Sequence, residues 1–296
     1  MKVLRTPDAR FDNLVDYPFP PRYTDLGGLR MHHVELGPSS GAPVLLLHGE
    51  PTWSYLYRHM LPVIAAAGHR AIAPDFIGCG RSDKPASRRD YSYAAHVDWT
   101  AAWIEANGLT GITLVCQDWG SLIGLRVVAE HPERFARVVV ANGFLPTGDR
   151  PLPLAFKLWQ AFARFSPVFP VRAIVRAGCA RKPSREALRG YAAPFPSGRY
   201  KAAVRAFPRI VPSSPNDPAA PANRRAWEVL RQWQKPFLTA FAANDAIFRG
   251  FDRILQQRIP GAHGQSHQVL RGAGHFIQED AGPELAEIVV KFMGKK

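Results

Sequence analysis

Short apolar segments rich in β-branched residues alternate with helical segments through the first half of the chain. The predicted strands are Met31–Leu36, Pro43–Leu47, Arg70–Pro74, Ile112–Cys116 and Val138–Ala141. The predicted helices between them are Tyr55–Ala67, Ala94–Asn107 and Ser121–Glu130. Apolar strands separated by helices pair in parallel and are covered on both faces, so the pattern predicts an α/β fold with a mostly parallel sheet.

The alternation stops after Asn142, where the composition changes. Residues 146 to about 226 contain no clear buried strand and are rich in proline, arginine and aromatic residues. Two strands and a closing helix then follow at Pro236–Ala242, Ser266–Leu270 and Pro283–Met293. We therefore predict a core domain of residues 1–145 and 227–296. Residues 146–226 are predicted to form a helical cap over the carboxyl ends of the strands, where open α/β sheets bind ligands.

Composition excludes several classes of protein. Of the 296 residues, 46% are hydrophobic and 21% are charged, which is typical of a soluble globular chain and excludes general disorder. The apolar runs are too short to span a membrane, and Met1–Arg10 lacks the apolar core of a secretory signal. Cys79, Cys116 and Cys179 are too far apart for a disulfide framework or a metal site, which favours a reducing, cytoplasmic location.

The chain is strongly basic. It has 38 Lys and Arg against 24 Asp and Glu, a net charge of +14, which could attract nucleic acid or an anionic surface. The arginines are scattered, however, and clusters such as Arg88–Arg89 and Arg181–Lys182 are short. This distribution favours a solvated basic surface, and we expect neither a nucleic-acid partner nor a membrane partner.

A sharp turn is predicted between the buried strand Ile112–Cys116 and the helix that begins at Ser121. The residues there are Cys116-Gln117-Asp118-Trp119-Gly120, the small–any–nucleophile–any–Gly pattern of a nucleophile elbow. Asp118 occupies the central position. A carboxylate at that position can attack carbon and form a covalent ester, although an Asp there could also simply cap the helix.

Two further polar residues follow later strands. Asp245 comes directly after Pro236–Ala242, and His275 lies in the glycine-rich segment Gly272–Phe276, before the last helix. Either residue alone could be an ordinary turn residue. The chain order of Asp118, Asp245 and His275, each just beyond the carboxyl end of a strand, is the order of nucleophile, acid and histidine in α/β hydrolases, which favours catalysis.

A loop with His48-Gly49-Glu50-Pro51 follows the strand Pro43–Leu47. In this architecture that loop and the residue after the nucleophile each supply an N–H to the oxyanion hole, so we predict the N–H groups of Glu50 and Trp119 there. His48 itself is expected to be structural. The segment Gly78–Ser82 lacks a third glycine and a following helix, so we interpret it as a turn and not as a dinucleotide site.

With these motifs, the sequence resembles the haloalkane dehalogenases of the α/β-hydrolase superfamily over nearly its whole length. The similar segments are HGEPTWSYLYR at 48–58, PDFIGCGRSDKP at 74–85, VCQDWG at 115–120, YAAPFP at 191–196 and GAGHFIQED at 272–280. The pairing of Q-D-W-G with H-G-E-P is the specific element. Glu50 and Asn142 both indicate the branch of the family whose acid follows the strand after the cap, here Asp245. Ser121 departs from the second glycine that is common after Q-D-W-G.

The resemblance implies a mechanism. Asp118 would displace halide from carbon and form an alkyl ester, and His275, oriented by Asp245, would activate the water that hydrolyses this ester. It also implies two indole donors for the halide, Trp119 and a cap tryptophan. Trp159 matches this second position best, with Trp227 and Trp233 as competitors. The family needs no metal and no cofactor.

The expected partners are a small halogenated hydrocarbon, water and halide, and the expected state is a monomer. Four phenylalanines are candidates to line the substrate pocket: Phe144, Phe156, Phe165 and Phe195. One alternative is an epoxide hydrolase with the same triad, in which Tyr191 or Tyr200 of the cap would supply the acid. The other is a non-catalytic ligand-binding protein on the same scaffold, which the complete triad disfavours.

Overall fold

Ten strands are present in the computed structural model, which describes residues 1–149 and 154–294. They are β1 (Val3–Leu4), β2 (Arg22–Asp25), β3 (Arg30–Leu36), β4 (Pro43–Leu47), β5 (Arg70–Pro74), β6 (Lys84–Pro85), β7 (Ile112–Cys116), β8 (Phe135–Val140), β9 (Phe237–Ala242) and β10 (Gln268–Leu270). Eight of them form one sheet, while β1 and β6 pair separately as a short antiparallel ribbon.

The eight-stranded sheet has the order β10-β9-β8-β7-β4-β5-β3-β2. All pairs from β10 to β5 are parallel, and the pairs β5–β3 and β3–β2 at one edge are antiparallel. Leu114 of β7 lies in register with Leu45 of β4 and Val138 of β8, and all three side chains are fully buried. The α/β-hydrolase fold with a mostly parallel sheet is therefore confirmed.

Ten α-helices accompany the strands in the described part of the chain. They are α1 (Met60–Ala66), α2 (Tyr93–Ala106), α3 (Trp119–Glu130), α4 (Leu154–Phe165), α5 (Val171–Gly178), α6 (Arg185–Ala192), α7 (Ala202–Ala206), α8 (Ala220–Leu230), α9 (Phe251–Arg258) and α10 (Ile277–Met293). Among them, no helix combines the length and the apolar character that crossing a bilayer would need.

Some element bounds differ from the predicted ones. The predicted helix Tyr55–Ala67 is a 3-10 turn at Ser54–Tyr57 followed by α1. The last helix begins at Ile277 and not at Pro283, because two helical pieces join across a kink at Ala281. A proline lacks the N–H that a helix interior requires, so the sequence favoured a start at Pro283.

The α-helices of the predicted cap segment are α4 to α7 and most of α8. Helix α8 runs across the predicted boundary between residues 226 and 227, and its side chains hold it to the end of the sheet. The Trp227 indole N–H donates to the Leu145 carbonyl oxygen at 2.8 Å, and Asn223 donates to that of Pro146 at 2.6 Å. The division into core and cap at 146–226 stays a prediction.

A buried carboxylate ties the segment after α5 to the loop that precedes α10. Asp280 accepts hydrogen bonds from the backbone N–H groups of Ala180 at 2.9 Å, Arg181 at 2.8 Å and Gly274 at 2.8 Å. Three donors satisfy a buried charge that would otherwise be costly to desolvate. The loop that carries His275 is therefore anchored to the insert as well as to the sheet.

Candidate active site

Asp118 lies at the tight turn between β7 and α3, with φ 50° and ψ −123°. A side chain at Gly120 would force the backbone to shift, since a Cβ there would lie 2.0 Å from the carbonyl oxygen of Leu47. A Cβ at Gly49 would likewise lie 2.5 Å from the Cβ of Asp118. The positive φ of Asp118 is a strained conformation that persists only where the surrounding structure enforces it. Here the turn presents the Asp118 carboxylate above the sheet.

The two carboxylate oxygens of Asp118 have different neighbours. Oδ1 accepts a hydrogen bond from the backbone N–H of Glu50 at 2.9 Å, and Oδ2 lies 3.7 Å from Nε2 of His275. Burial raises the pKa of Asp118, whereas His275 and the backbone N–H groups of Glu50 and Trp119 lower it in part. Oδ1 is thus held by the Glu50 N–H, while Oδ2 faces the histidine.

His275 pairs with Asp245 on its other side. Nδ1 of His275 lies 3.1 Å from Oδ2 of Asp245, whose Oδ1 accepts from the N–H of Ile247 at 2.7 Å and of Phe248 at 3.3 Å. Burial alone would raise the pKa of Asp245, but His275 and these two N–H groups bring it below its ordinary value. Burial alone would lower the pKa of His275, but Asp245 and Asp118 outweigh this effect and raise it.

Two amide side chains position the histidine loop. Asn142, at φ 50°, accepts from the N–H of Ala242 at 2.7 Å and donates to the carbonyl oxygens of Gly274 at 2.9 Å and His275 at 3.0 Å. Gln117 also donates to the His275 carbonyl oxygen, at 3.1 Å. From the sequence Asn142 is only a branch marker, although its place at the end of a central strand is a signal of this positioning role.

His48 and Ser121 have structural hydrogen bonds. Nδ1 of His48 lies 2.9 Å from the Gly49 carbonyl oxygen, and its Nε2 accepts from the N–H of Phe76 at 3.1 Å. The Ser121 hydroxyl lies 2.7 Å from the Asp118 carbonyl oxygen and accepts from the N–H of Phe144 at 2.9 Å. His48 therefore supports the loop as expected, and Ser121 braces the start of α3.

A cavity of about 450 Å³ opens in front of Asp118. Its apolar lining residues are Trp119, Leu122, Phe144, Pro146, Phe156, Val211, Pro212, Trp227, Ile247, Phe248 and Phe251. Phe144 and Phe156 thus lie where the pocket prediction put them. Three of the other lining residues, Pro146, Val211 and Pro212, come from the insert, and three more, Ile247, Phe248 and Phe251, follow β9; the sequence assigned none of these six to a site.

Two of the predicted pocket phenylalanines lie elsewhere. Phe165 is 73% exposed, so its assignment to the pocket is wrong. It lies nine positions after Phe156, which at about 100° per residue puts it on the opposite side of α4. Phe195 is buried but is not among the cavity-lining residues. Its turn packs against the N-terminal segment, where the Thr6 hydroxyl donates to the Pro194 carbonyl oxygen at 2.7 Å.

Trp119 is the indole nearest to Asp118 in sequence, and it lines the cavity. Tyr93 meets its ring edge-on with 5.4 Å between centroids, and Phe207 packs against it at 4.7 Å. None of the hydrogen bonds among residues 1–149 and 154–294 uses its indole N–H. These contacts hold the ring in place and leave its donor for a ligand.

Trp159 is half-buried in α4 and packs against Phe162 and Phe169. It is not among the cavity-lining residues, but its side chain interacts with the Glu50 carboxyl group. Burial and the nearby Asp118 charge raise the pKa of Glu50 well above its ordinary value, and the Trp159 contact lowers it in part. The competitor Trp227 already uses its N–H on Leu145.

No group of three or more His, Cys, Asp or Glu side chains in the described ranges is arranged to hold a metal ion. The polar groups around Asp118 are instead two backbone N–H donors, one histidine and carboxyl groups. Such a set can support nucleophilic attack by a carboxylate and general base catalysis by the histidine.

We expect Gly120→Ala to destabilise the protein by about 1–3 kcal/mol, because its methyl group would overlap the Leu47 carbonyl oxygen in a packed turn. Urea denaturation measures the change. Gly198→Ala is the matched control, because nothing lies within 4 Å of a Cβ there. Equal stability of the two variants would contradict the close approach of the turn to β4.

Comparisons with known proteins agree with this geometry. A family model for the alpha/beta hydrolase fold matches residues 42–282. Haloalkane dehalogenases of Mycolicibacterium paratuberculosis and Psychrobacter cryohalolentis are 56% and 51% identical, each over 99% of this chain and 98% of its own length. The tetrameric haloalkane dehalogenase DpaA from Paraglaciecola agarilytica NO2 superposes with a TM-score of 0.91 at 38% identity, covering 97% of each chain. The chain therefore belongs to the haloalkane dehalogenases, within the α/β-hydrolase fold.

Proposed function

We propose that this haloalkane dehalogenase hydrolyses the carbon–halogen bond of small haloalkanes through an ester on Asp118. The products are an alcohol, a halide ion and a proton. The observation that carries this proposal is the asymmetry of the Asp118 carboxylate, with Oδ1 on the Glu50 N–H and Oδ2 facing His275. A carboxylate held in this way is oriented for attack by its second oxygen.

In the first step Oδ2 of Asp118 attacks the halogen-bearing carbon from the side opposite the halogen. A carbon–oxygen bond forms as the carbon–halogen bond breaks, and the halide leaves with the bonding electron pair. The mainly apolar cavity wall excludes water from the carboxylate, which removes part of its solvation before attack. The product of this step is an alkyl ester of Asp118 and a free halide.

The departing halide needs hydrogen-bond donors, because an unpaired anion in an apolar cavity is costly. An indole N–H donates and has no acceptor lone pair to repel an anion. The unused N–H of Trp119 in the cavity wall supports its assignment as one donor. We propose Trp159 as the second donor, because its contact with the Glu50 carboxyl group places its indole beside the residue whose N–H holds Asp118, and the halide would replace that carboxyl group as the acceptor.

In the second step Nε2 of His275 removes a proton from water, and the resulting hydroxide attacks the carboxyl carbon of the ester. Oδ1 then carries the negative charge, and the N–H groups of Glu50 and Trp119 stabilise it. The Asp245 carboxylate stabilises the imidazolium that forms. Collapse of the intermediate releases the alcohol and regenerates Asp118, and the proton on His275 passes to solvent.

The rival activity, epoxide hydrolysis, needs an acid near Asp118 to protonate the opening oxygen. Tyr191 donates its hydroxyl to Glu279 at 2.6 Å, in an ion-pair network with Arg58, and neither Tyr191 nor Tyr200 is among the cavity-lining residues. This placement favours dehalogenation. Diol formation from styrene oxide faster than bromide release from 1-bromobutane would favour the rival.

We also propose that the protein acts in the cytoplasm as a monomer on a small halogenated hydrocarbon, with water as co-substrate. The widely spaced, unpaired cysteines support a reducing compartment. The related Paraglaciecola enzyme is described as tetrameric, so light scattering on the purified protein is the relevant measurement. A mass of four chains in solution would contradict the monomer.

The pH dependence of ester hydrolysis reports the protonation state of His275. Neutral His275 is the base, so we expect the rate to fall as the pH drops through its pKa. In the ester Asp118 is uncharged, so Asp245 is the charge that raises this pKa against the effect of burial. Asp245→Asn removes that charge and is expected to move the midpoint to lower pH, while also slowing the reaction. Single-turnover kinetics across pH 5 to 9 measure both effects, and a midpoint that Asp245→Asn leaves unchanged would contradict the assignment.

His275→Gln is expected to release one halide per enzyme molecule and then stop, with an alkyl group on Asp118. Bromide release from 1-bromobutane and intact mass spectrometry measure the two effects.

Asp118→Asn is expected to release no bromide, provided that deamidation back to Asp is excluded by mass. His263→Gln, at an exposed position, is the matched control. Steady turnover by His275→Gln without an adduct would overturn the proposed mechanism.

A further inference from the structure

The outer wall of the cavity is charged, in contrast to its apolar depth. Arg224 and Glu228 of α8, Arg231 just after it and Arg258 at the end of α9 all line the cavity. Residues 224, 228 and 231 are four and three positions apart, so they share one face of the helix. Glu228, Arg231 and Arg258 are exposed, whereas Trp119 and Leu122 beside Asp118 are buried. We call the four charged residues 224, 228, 231 and 258 the rim.

Two arginines of the rim have no ion-pair partner among the residues that the structure describes. Arg224 is neutralised by Asp149, which also lines the cavity, at 2.8 Å. Arg231 and Arg258 form no such pair within 4.0 Å in the described ranges, and Glu228 is the one acid left beside them. The mouth of the cavity therefore keeps a net positive charge, and the depth holds the negative Asp118.

We propose that the rim binds the carboxylate of an ω-halogenated carboxylic acid whose halogenated end reaches Asp118. This inference rests on the proposed dehalogenase function and names a substrate class for it. A carboxylate at the deep end would face the Asp118 charge without a matching cation. The same group at the mouth meets Arg231 and Arg258, whose planar guanidinium groups can each bind a carboxylate through two parallel N–H donors.

The apolar wall between the two ends fits the rest of such a molecule. Phe156, Val211, Trp227 and Phe251 line the cavity and offer a methylene chain a surface without competing charge. Opposite preferences at the two ends orient the substrate, since reversal would bring the carboxylate to Asp118 and the halogen to the arginines. A substrate held at both ends is also predicted to show an optimum chain length.

The size of the effect is modest, because exposed ion pairs are weak and are screened by salt. Each of the two unpaired arginines is expected to contribute about two- to fivefold to kcat/KM for the carboxylate substrate at low ionic strength. Glu228 opposes binding of the carboxylate, so its removal is expected to act in the reverse direction by a similar factor.

The test compares ω-bromoalkanoates of four to ten carbons with the 1-bromoalkanes of equal length. For Arg231→Gln with Arg258→Gln, we expect the ratio of kcat/KM for the bromoalkanoate to that for the bromoalkane to fall about 4- to 25-fold in low salt. Glu228→Gln is expected to raise the same ratio. Arg225→Gln and Arg253→Gln are matched controls, since these exposed arginines lie on the same two helices outside the cavity lining and should leave the ratio unchanged.

Several results would overturn the proposed subsite. Equal losses on both substrates would mean that the arginines assist halide release and do not recognise a carboxylate. An unchanged ratio in the double variant, or wild-type turnover of bromoalkanes without turnover of any bromoalkanoate, would also exclude it. If the wild type releases bromide from neither series, the proposed function fails and the rim has no substrate to select.

Discussion

The hydrogen bond from the Glu50 N–H to Oδ1 of Asp118 is the contact on which the rest of the site depends. It exists because β4 and β7 are parallel neighbours, so the loops after them meet at one edge of the sheet. Gly49 and Gly120 allow the two loops to approach closely enough, and the positive φ of Asp118 turns its carboxylate toward the N–H. The bond fixes one oxygen and thereby defines which oxygen can attack.

The charges around this bond explain why the histidine is placed where it is. The carboxyl groups of Asp245 and Glu50 are buried, the Asp118 side chain is 13% exposed, and His275 is the basic side chain between the two aspartates. The two carboxylates raise the pKa of His275, and burial beside Asp118 raises that of Glu50, which favours its neutral form. The Asn142 side chain, which follows β8, then joins the histidine loop to the end of β9 through its hydrogen bonds.

The sequence predicted the features that local pattern determines. Strand–helix alternation and the positions of Asp118, Asp245 and His275 at strand ends follow from short segments, and the structure brings these three residues together. The pocket was harder to predict, because it depends on how distant elements pack. Phe165 was assigned to it by residue type alone, although its place on α4 turns it to solvent. The rim arginines belong to helices that meet only in the folded chain, and α9 was not predicted at all.

The central claim is that an Asp118 oxygen, and not a water oxygen, ends in the alcohol. A single turnover of 1-bromobutane by excess enzyme in water labelled with oxygen-18 tests this claim most directly. The account predicts unlabelled 1-butanol and one heavy oxygen in the peptide that contains Asp118, because water attacks the carboxyl carbon of the ester. Labelled butanol with an unlabelled Asp118 peptide would show direct attack by water and would contradict the account.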